Sequence, residues 1–147
     1  MSLFYCRVHG LPIAQGRPRA ARIGGGVRVY DPDTSRDWKR TVQAQVIAVK
    51  PSAPFDCPLS MELSFVLPRP KSLPRKVVYH TKRPDIDNLF KAISDALNGI
   101  VYRDDSQIVQ LAVEKVYGSE PGVIICLSEM VEDSIRLVWE RKAKEAS

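Results

Sequence analysis

Asp85-Ile86-Asp87-Asn88-Leu89-Phe90-Lys91-Ala92-Ile93-Ser94-Asp95-Ala96-Leu97-Asn98-Gly99 is the stretch on which the architecture turns. Leu89, Ala92, Ile93, Ala96 and Leu97 recur at helical spacing, so they form one buried face, and Asn98-Gly99 is a C-terminal stop. The opposite face carries Asp87, Lys91 and Asp95, each one turn from the next. A few residues later comes Tyr102-Arg103-Asp104-Asp105-Ser106, a turn that returns two more carboxylates. Clustered carboxylates repel one another unless a cation lies between them, and all-oxygen donors suit Mg²⁺ or Mn²⁺ better than zinc.

Each acid has a plain alternative. Asp87 or Asn88 caps a helix, Asp85 suits the positive end of its dipole, Asp95 pairs with Lys91 and Asp104-Asp105 make a turn. A helix needs one cap, however, and this one is bracketed by acids on both sides. The joint reading, a divalent-metal site, is preferred. A calcium loop is excluded, because counting from Asp85 places Phe90 and Ala96 where an EF-hand needs Gly and Glu. Beside such a metal, the Lys91 ammonium could bind a phosphate oxygen or protonate a leaving group. A structural ion pair with Asp87 or Asp95 fits the same spacing.

Working outward, Leu3–Val8 reads as a first strand ended by Gly10-Leu11-Pro12. Residues 15–30 read as a basic hairpin with Gly24-Gly25-Gly26 at its tip, a turn and not a nucleotide loop, since no Gly-Lys-Ser/Thr follows. Trp38, Val42, Val46 and Val49 mark an amphipathic helix ending near Lys50-Pro51. Leu59–Leu67 alternates as a strand, and Pro68–Lys82 is a basic, proline-rich connector. Beyond the acidic turn, Ile108–Tyr117 and Val123–Leu127 read as the two arms of a hairpin. Val131, Ile135, Val138 and Trp139 suggest a last helix, running into a charged tail over about 140–147 that is expected to fray.

The expected fold is therefore mixed α/β (α+β): a single domain over 1–147, with helices packed on one mixed sheet. The 147 residues suffice for one ordinary core. No apolar run spans a bilayer and the N-terminus lacks a signal-peptide layout, which points to the cytoplasm. Cys6, Cys57 and Cys126 are odd in number and far apart, so they are read as small buried hydrophobes; His9 and His80 are isolated.

Charge is split along the chain. Residues 1–83 hold 15 Lys+Arg against 5 Asp+Glu, and residues 84–147 hold 7 against 12. A basic half attracts polyanions, of which phosphate backbones are the commonest, and an acidic cluster repels them unless a metal intervenes. The best single patch is Arg17, Arg19, Arg22 and Arg28, on or near the hairpin.

The run from Arg83 to Gly99, followed by Tyr102–Val109, resembles the RusA family of Holliday junction resolvases. The Asp-x-Asp-Asn-Leu-x-Lys start, the Asp-Ala-Leu helix end and the Asp-Asp pair before a strand stand in the family's order. Gly10-Leu11-Pro12 and Arg17-Pro18-Arg19 also resemble its N-terminal portion. The resemblance implies a RusA-like fold and a homodimeric, Mg²⁺-dependent endonuclease (Mn²⁺ as substitute) that nicks paired strands of four-way DNA junctions in recombination and repair. It implies a bacterial or prophage setting, with no membrane and no nucleotide cofactor. Carried over by position, Asp85, Asp87 and Asp105 are the metal-binding carboxylates, Lys91 is the catalytic lysine, and Asp104 and Asp95 are additional candidates. Two rivals are a metal nuclease for other branched nucleic acids and a non-catalytic DNA-binding module.

Overall fold

The computed structural model describes residues 2–16, 19–30, 33–131 and 140–147, with the side chains of 2, 19–23, 27–30 and 33 left out. In chain order the elements are β1 (Ser2–His9), β2 (Arg19–Ile23), β3 (Gly26–Tyr30), α1 (Asp33–Ile47), β4 (Leu59–Pro68), α2 (Ile86–Leu97), a 3-10 turn (Asp105–Gln107), β5 (Ile108–Gly118) and β6 (Gly122–Glu129). The fold class is α+β, as expected, and no described helix is long and apolar enough to cross a membrane.

Alternation builds the sheet. On β4, Leu59, Met61, Leu63, Phe65 and Leu67 are buried, while Glu62 on the other face is exposed. Phe4, Cys6 and Val8 of β1 and Val123, Ile125 and Leu127 of β6 continue the same apolar face. Trp38, Val42 and Val46 of α1 and the Leu89–Leu97 stripe of α2 pack into one cluster with it. Each fully buried Leu, Ile or Phe contributes about 1.5–3 kcal/mol, so this one-sided layer is the main source of stability. Helix α1 stops at Ile47, two residues before Val49, which is consequently exposed.

The sheet order is β1-β6-β4-β5, with β4 antiparallel to β6 and parallel to β5. The expected hairpin between 108–117 and 123–127 is thus corrected: both strands exist, yet each pairs with β4 and not with the other. The short link 119–121 passes over the end of β4, where Pro68 pairs with Gly118 on one side and Val66 with Gly122 on the other. Pro68 cannot extend the ladder, which leaves the strand end clear for the crossing.

Gly122 is required by the close approach of β6 to β1, because a Cβ there would run into the Val8 carbonyl of β1. We expect Gly122→Ala to destabilise the fold by about 1–3 kcal/mol through overpacking against backbone. Chemical denaturation of the variant beside wild type measures this, and an unchanged midpoint would contradict the close β1–β6 approach.

The basic hairpin is present as an independent two-stranded sheet, Arg19 facing Tyr30 and Arg22 facing Val27. Of the expected last helix, residues 132–139 lie outside the described residues, and 140–146 are helical. Lys, Glu and Ala in that segment are good helix formers. Cys6 is buried in β1 and Cys126 half-buried in β6, whereas Cys57 lies in the loop before β4.

Candidate active site

Helix α2 is delivered to the surface by a segment held from behind. The Arg83–Pro84 peptide is cis. Lys115 of β5 donates from Nζ to the carbonyls of Lys82 (2.7 Å) and Pro84 (2.8 Å), fastening the approach to the sheet. On the other flank the Gln15 N–H donates to the Asn88 carbonyl at 2.9 Å. One residue on, the Gly16 N–H donates to Oγ of buried Ser35 at 3.3 Å. The base of the arginine-rich hairpin is therefore tied to the first turns of both helices.

Asp85 is the N-cap of α2 with extended backbone, yet its side chain makes no cap hydrogen bond. Among the described residues, the carboxylates of Asp85 and Asp87 enter no hydrogen bond or ion pair, and both residues are exposed. They are not consumed by the capping role that sequence alone allows.

Spacing offers Lys91 two partners on α2, and it takes one of them. Its ammonium pairs with Asp95 at 3.1 Å and not with Asp87, one turn the other way. Asp95 in turn receives Lys39 of α1 at 3.7 Å, so it bridges the two helices. The hydrogen bond and charge of Asp95, with a further contribution from the charge of Asp105, raise the Lys91 pKa above its ordinary value. Lys91 is thus an ammonium throughout the neutral range.

After α2 the chain reverses at Gly99, whose φ of +79° suits glycine, and Gly99 N–H donates to the Tyr102 carbonyl at 2.8 Å. Tyr102 is fully buried and donates from its hydroxyl to the Ser94 carbonyl at 2.7 Å. Burial, then the charges of Asp105, Asp95 and Asp104, push the Tyr102 phenol upward, so it stays neutral.

Asp104 and Asp105 divide the work. Asp104 caps the 3-10 turn, accepting from the Ser106 N–H at 3.1 Å, and hydrogen bonding from the Ser106 side chain, then from its N–H, holds the Asp104 carboxyl below the usual range. The lowered value means the cap is intact above the ordinary carboxyl pKa and is lost as pH falls through the lowered one. Gln107 completes the cap: its Oε1 accepts from the N–H groups of Arg103 and Asp104 (2.9 Å each), and its Nε2 donates to the carbonyls of Phe55 (2.9 Å) and Cys57 (3.1 Å). Asp105, half-buried, is left to face a cavity of about 390 Å³ with Phe90, Ser106 and Ile108–Leu111. A second cavity, about 380 Å³, lies at Asp85 with Ala14, Arg83, Pro84 and Asn88.

Lys91 and Asp95 are thus ion-paired on α2, the charge of Asp105 reaches Lys91, and Asp85 and Asp87 stand at the start of the same helix. Among the described residues, no three His, Cys, Asp or Glu side chains stand together at metal-binding distance. In chemistry, the oxygen-only set fits a hard divalent cation. Arg17 and the side chains of Arg19, Arg22 and Arg28 lie outside the described residues, the last three belonging to β2 and β3. Sequence reading overlooked Gln107, Lys115 and Lys39. Only Gln107 had a signal, since Asp104-x-x-Gln107 has the spacing of a capping box.

Comparison with known proteins fits this layout. The family model "Endodeoxyribonuclease RusA" matches residues 9–128. A protein of Bacillus subtilis (strain 168), "Uncharacterized protein YqaN", is 36% identical over 133 residues, covering 84% of this chain and 94% of that one. The "Crossover junction endodeoxyribonuclease rusA" of Lactococcus phage r1t is 29% identical over 123 residues, covering 82% and 92%. The chain belongs to the RusA endodeoxyribonuclease family.

Proposed function

We propose that residues 1–147 act as one RusA-like, Mg²⁺-dependent endodeoxyribonuclease domain that resolves four-way DNA junctions by paired nicks. The observation that carries the reading is that Asp85 and Asp87 stay uncommitted one to two turns before Lys91 on α2, in a chain of this family, with the charge of Asp105 reaching that lysine. A phage relative named as a crossover junction endodeoxyribonuclease supports the substrate.

Asp85, Asp87 and Asp105 would hold the cation, Asp105 from the capping turn and the other two from the start of α2. Mg²⁺ at such a site supplies counter-charge for the phosphorane-like transition state and lowers the pKa of the attacking water. Lys91, kept protonated by Asp95, holds its proton at Nζ for a non-bridging oxygen or the departing oxygen. Asp95 positions that ammonium and touches no substrate. Arg17, Arg19, Arg22 and Arg28, which follow the Gln15–Asn88 hydrogen bond in sequence, would track the phosphates of the bound strands. Two symmetric cuts call for two equivalent sites, which a twofold homodimer provides. The setting is the cytoplasm of a bacterium, whether the chain is host- or phage-encoded.

The test is cleavage of a labelled four-way junction in Mg²⁺ and in Mn²⁺, beside a flap, a linear duplex and an RNA hybrid. Paired symmetric nicks confined to the junction are expected. Equal cutting of the flap or the hybrid would replace the junction by another branched substrate, and binding without any cutting would make the chain a DNA-binding module.

A further inference from the structure

The connector between β4 and α2 holds six Lys or Arg from Arg69 to Arg83 and no Asp or Glu. Such a proline-rich basic stretch is ordinarily a solvated linker, but here it is pinned along its length. Arg69 donates to the carbonyls of Pro74 (2.8 Å) and Val77 (2.7 Å) and lies 5.4 Å over the Tyr117 ring. His80 tilts against that ring at 4.8 Å, and the segment around Tyr79 pairs with Val116 along the edge of β5. Lys115 then holds its far end at Lys82 and Pro84.

Its charge is not cancelled. Carbonyls carry no net charge, so the Arg69 guanidinium remains a full cation. Among the described residues no carboxylate pairs with Lys71, Arg75, Lys76, Lys82 or Arg83, all of them exposed, whereas Arg7, Lys39, Lys91 and Arg103 elsewhere each have an acidic partner. Fixing like charges together is costly unless an anion answers them. Beside them lies a groove of about 600 Å³, lined by Pro68, Arg69, Arg75, Tyr117, Gly118 and Ser119. Its floor is formed by the ends of two sheet strands, and the loop that walls it runs directly into Asp85.

We infer that this stiffened loop and groove form a second nucleic-acid surface, binding the phosphodiester backbone of the DNA whose scissile phosphate lies at the carboxylates. The inference rests on the proposed nuclease function and assigns these residues binding without chemistry. Recognition there is independent of sequence, since lysines and arginines on a phosphate backbone read charge and not base edges.

The experiment measures binding of a four-way junction in EDTA by fluorescence anisotropy across a salt series. It compares wild type, the double variant Arg75→Ala/Lys76→Ala, and a charge-matched control, Lys142→Ala/Lys144→Ala, in the exposed C-terminal helix. Loss of two phosphate contacts should flatten the log–log salt slope by about 1.8 and weaken binding about tenfold at low salt. The single-turnover cutting rate at saturating junction should not change. A loop variant with the wild-type slope and affinity, or a control that falls equally, overturns the inference while leaving the nuclease reading intact. A wild-type protein that neither binds nor cuts branched DNA overturns both.

Discussion

Asp105→Asn should abolish most junction cleavage, by about 10²–10³-fold in single-turnover rate, while metal-free binding is retained or slightly tightened. The reasoning is local. Asp105 sits on a turn whose own cap is supplied by Asp104 and Gln107, so the amide replaces the carboxylate without disturbing a hydrogen bond that holds the fold. What is lost is one negative oxygen donor for a divalent cation and part of the field that favours the Lys91 ammonium. Asp104→Ala offers the contrast: it removes the cap acceptor and so should move thermal stability more than cleavage. If Asp105→Asn cuts at the wild-type rate, the carboxylate has no part in the chemistry, and its charge at Lys91 is structural only.

The second large effect concerns a residue that touches no substrate. Gln107→Leu removes four hydrogen bonds at once and leaves two N–H groups and two carbonyls to find water. At a net of about 1 kcal/mol each, discounted for partial exposure, the loss is about 3 kcal/mol. In a chain of this size that lowers the melting temperature on the order of 10 °C. Below that transition the turn is no longer latched to the Phe55–Cys57 loop, and cutting should fall about tenfold or more, because small misplacements of a reacting group are costly. Melting curves and single-turnover rates, each read for both Gln107→Leu and Asp105→Asn, separate latch from ligand: the first loses both properties, the second only activity. A Gln107→Leu protein with unchanged melting would show that the latch carries no stability.

The motif-bearing helix was legible in sequence because its periodicity and its stop signal agree: Leu89, Ala92, Ile93, Ala96 and Leu97 are all buried and the chain reverses at Gly99. Strand β4 was legible for the same reason, its alternation matching its buried and open faces. The pairing of β5 and β6 was not. Two strands joined by a short glycine-flanked loop read as a hairpin, and nothing local reveals that a third strand, forty residues upstream, lies between them. Lys91 shows a similar limit, since Asp87 and Asp95 are equally spaced from it and spacing alone does not choose between them. Lys115 had no sequence signal, because its partners are backbone carbonyls that any residue could offer. The carboxylate candidates themselves came from the family resemblance together with their clustering, and their roles are what the variants above address.

The sheet order has a consequence for how the chain acquires activity during synthesis. β6 lies between β1 and β4, so the last described strand to leave the ribosome is an inner strand of the sheet. Until residue 129 has emerged, β1 has no partner to join it to β4, and the layer on which α1 and α2 pack is incomplete. Contacts of such long sequence separation form late, after the loop-closure entropy has been met. A nascent chain already carries every carboxylate of the candidate site but lacks the sheet that holds them. The candidate site is therefore held in place only once β6 has joined the sheet, so a chain stopped short of it should lack the proposed activity.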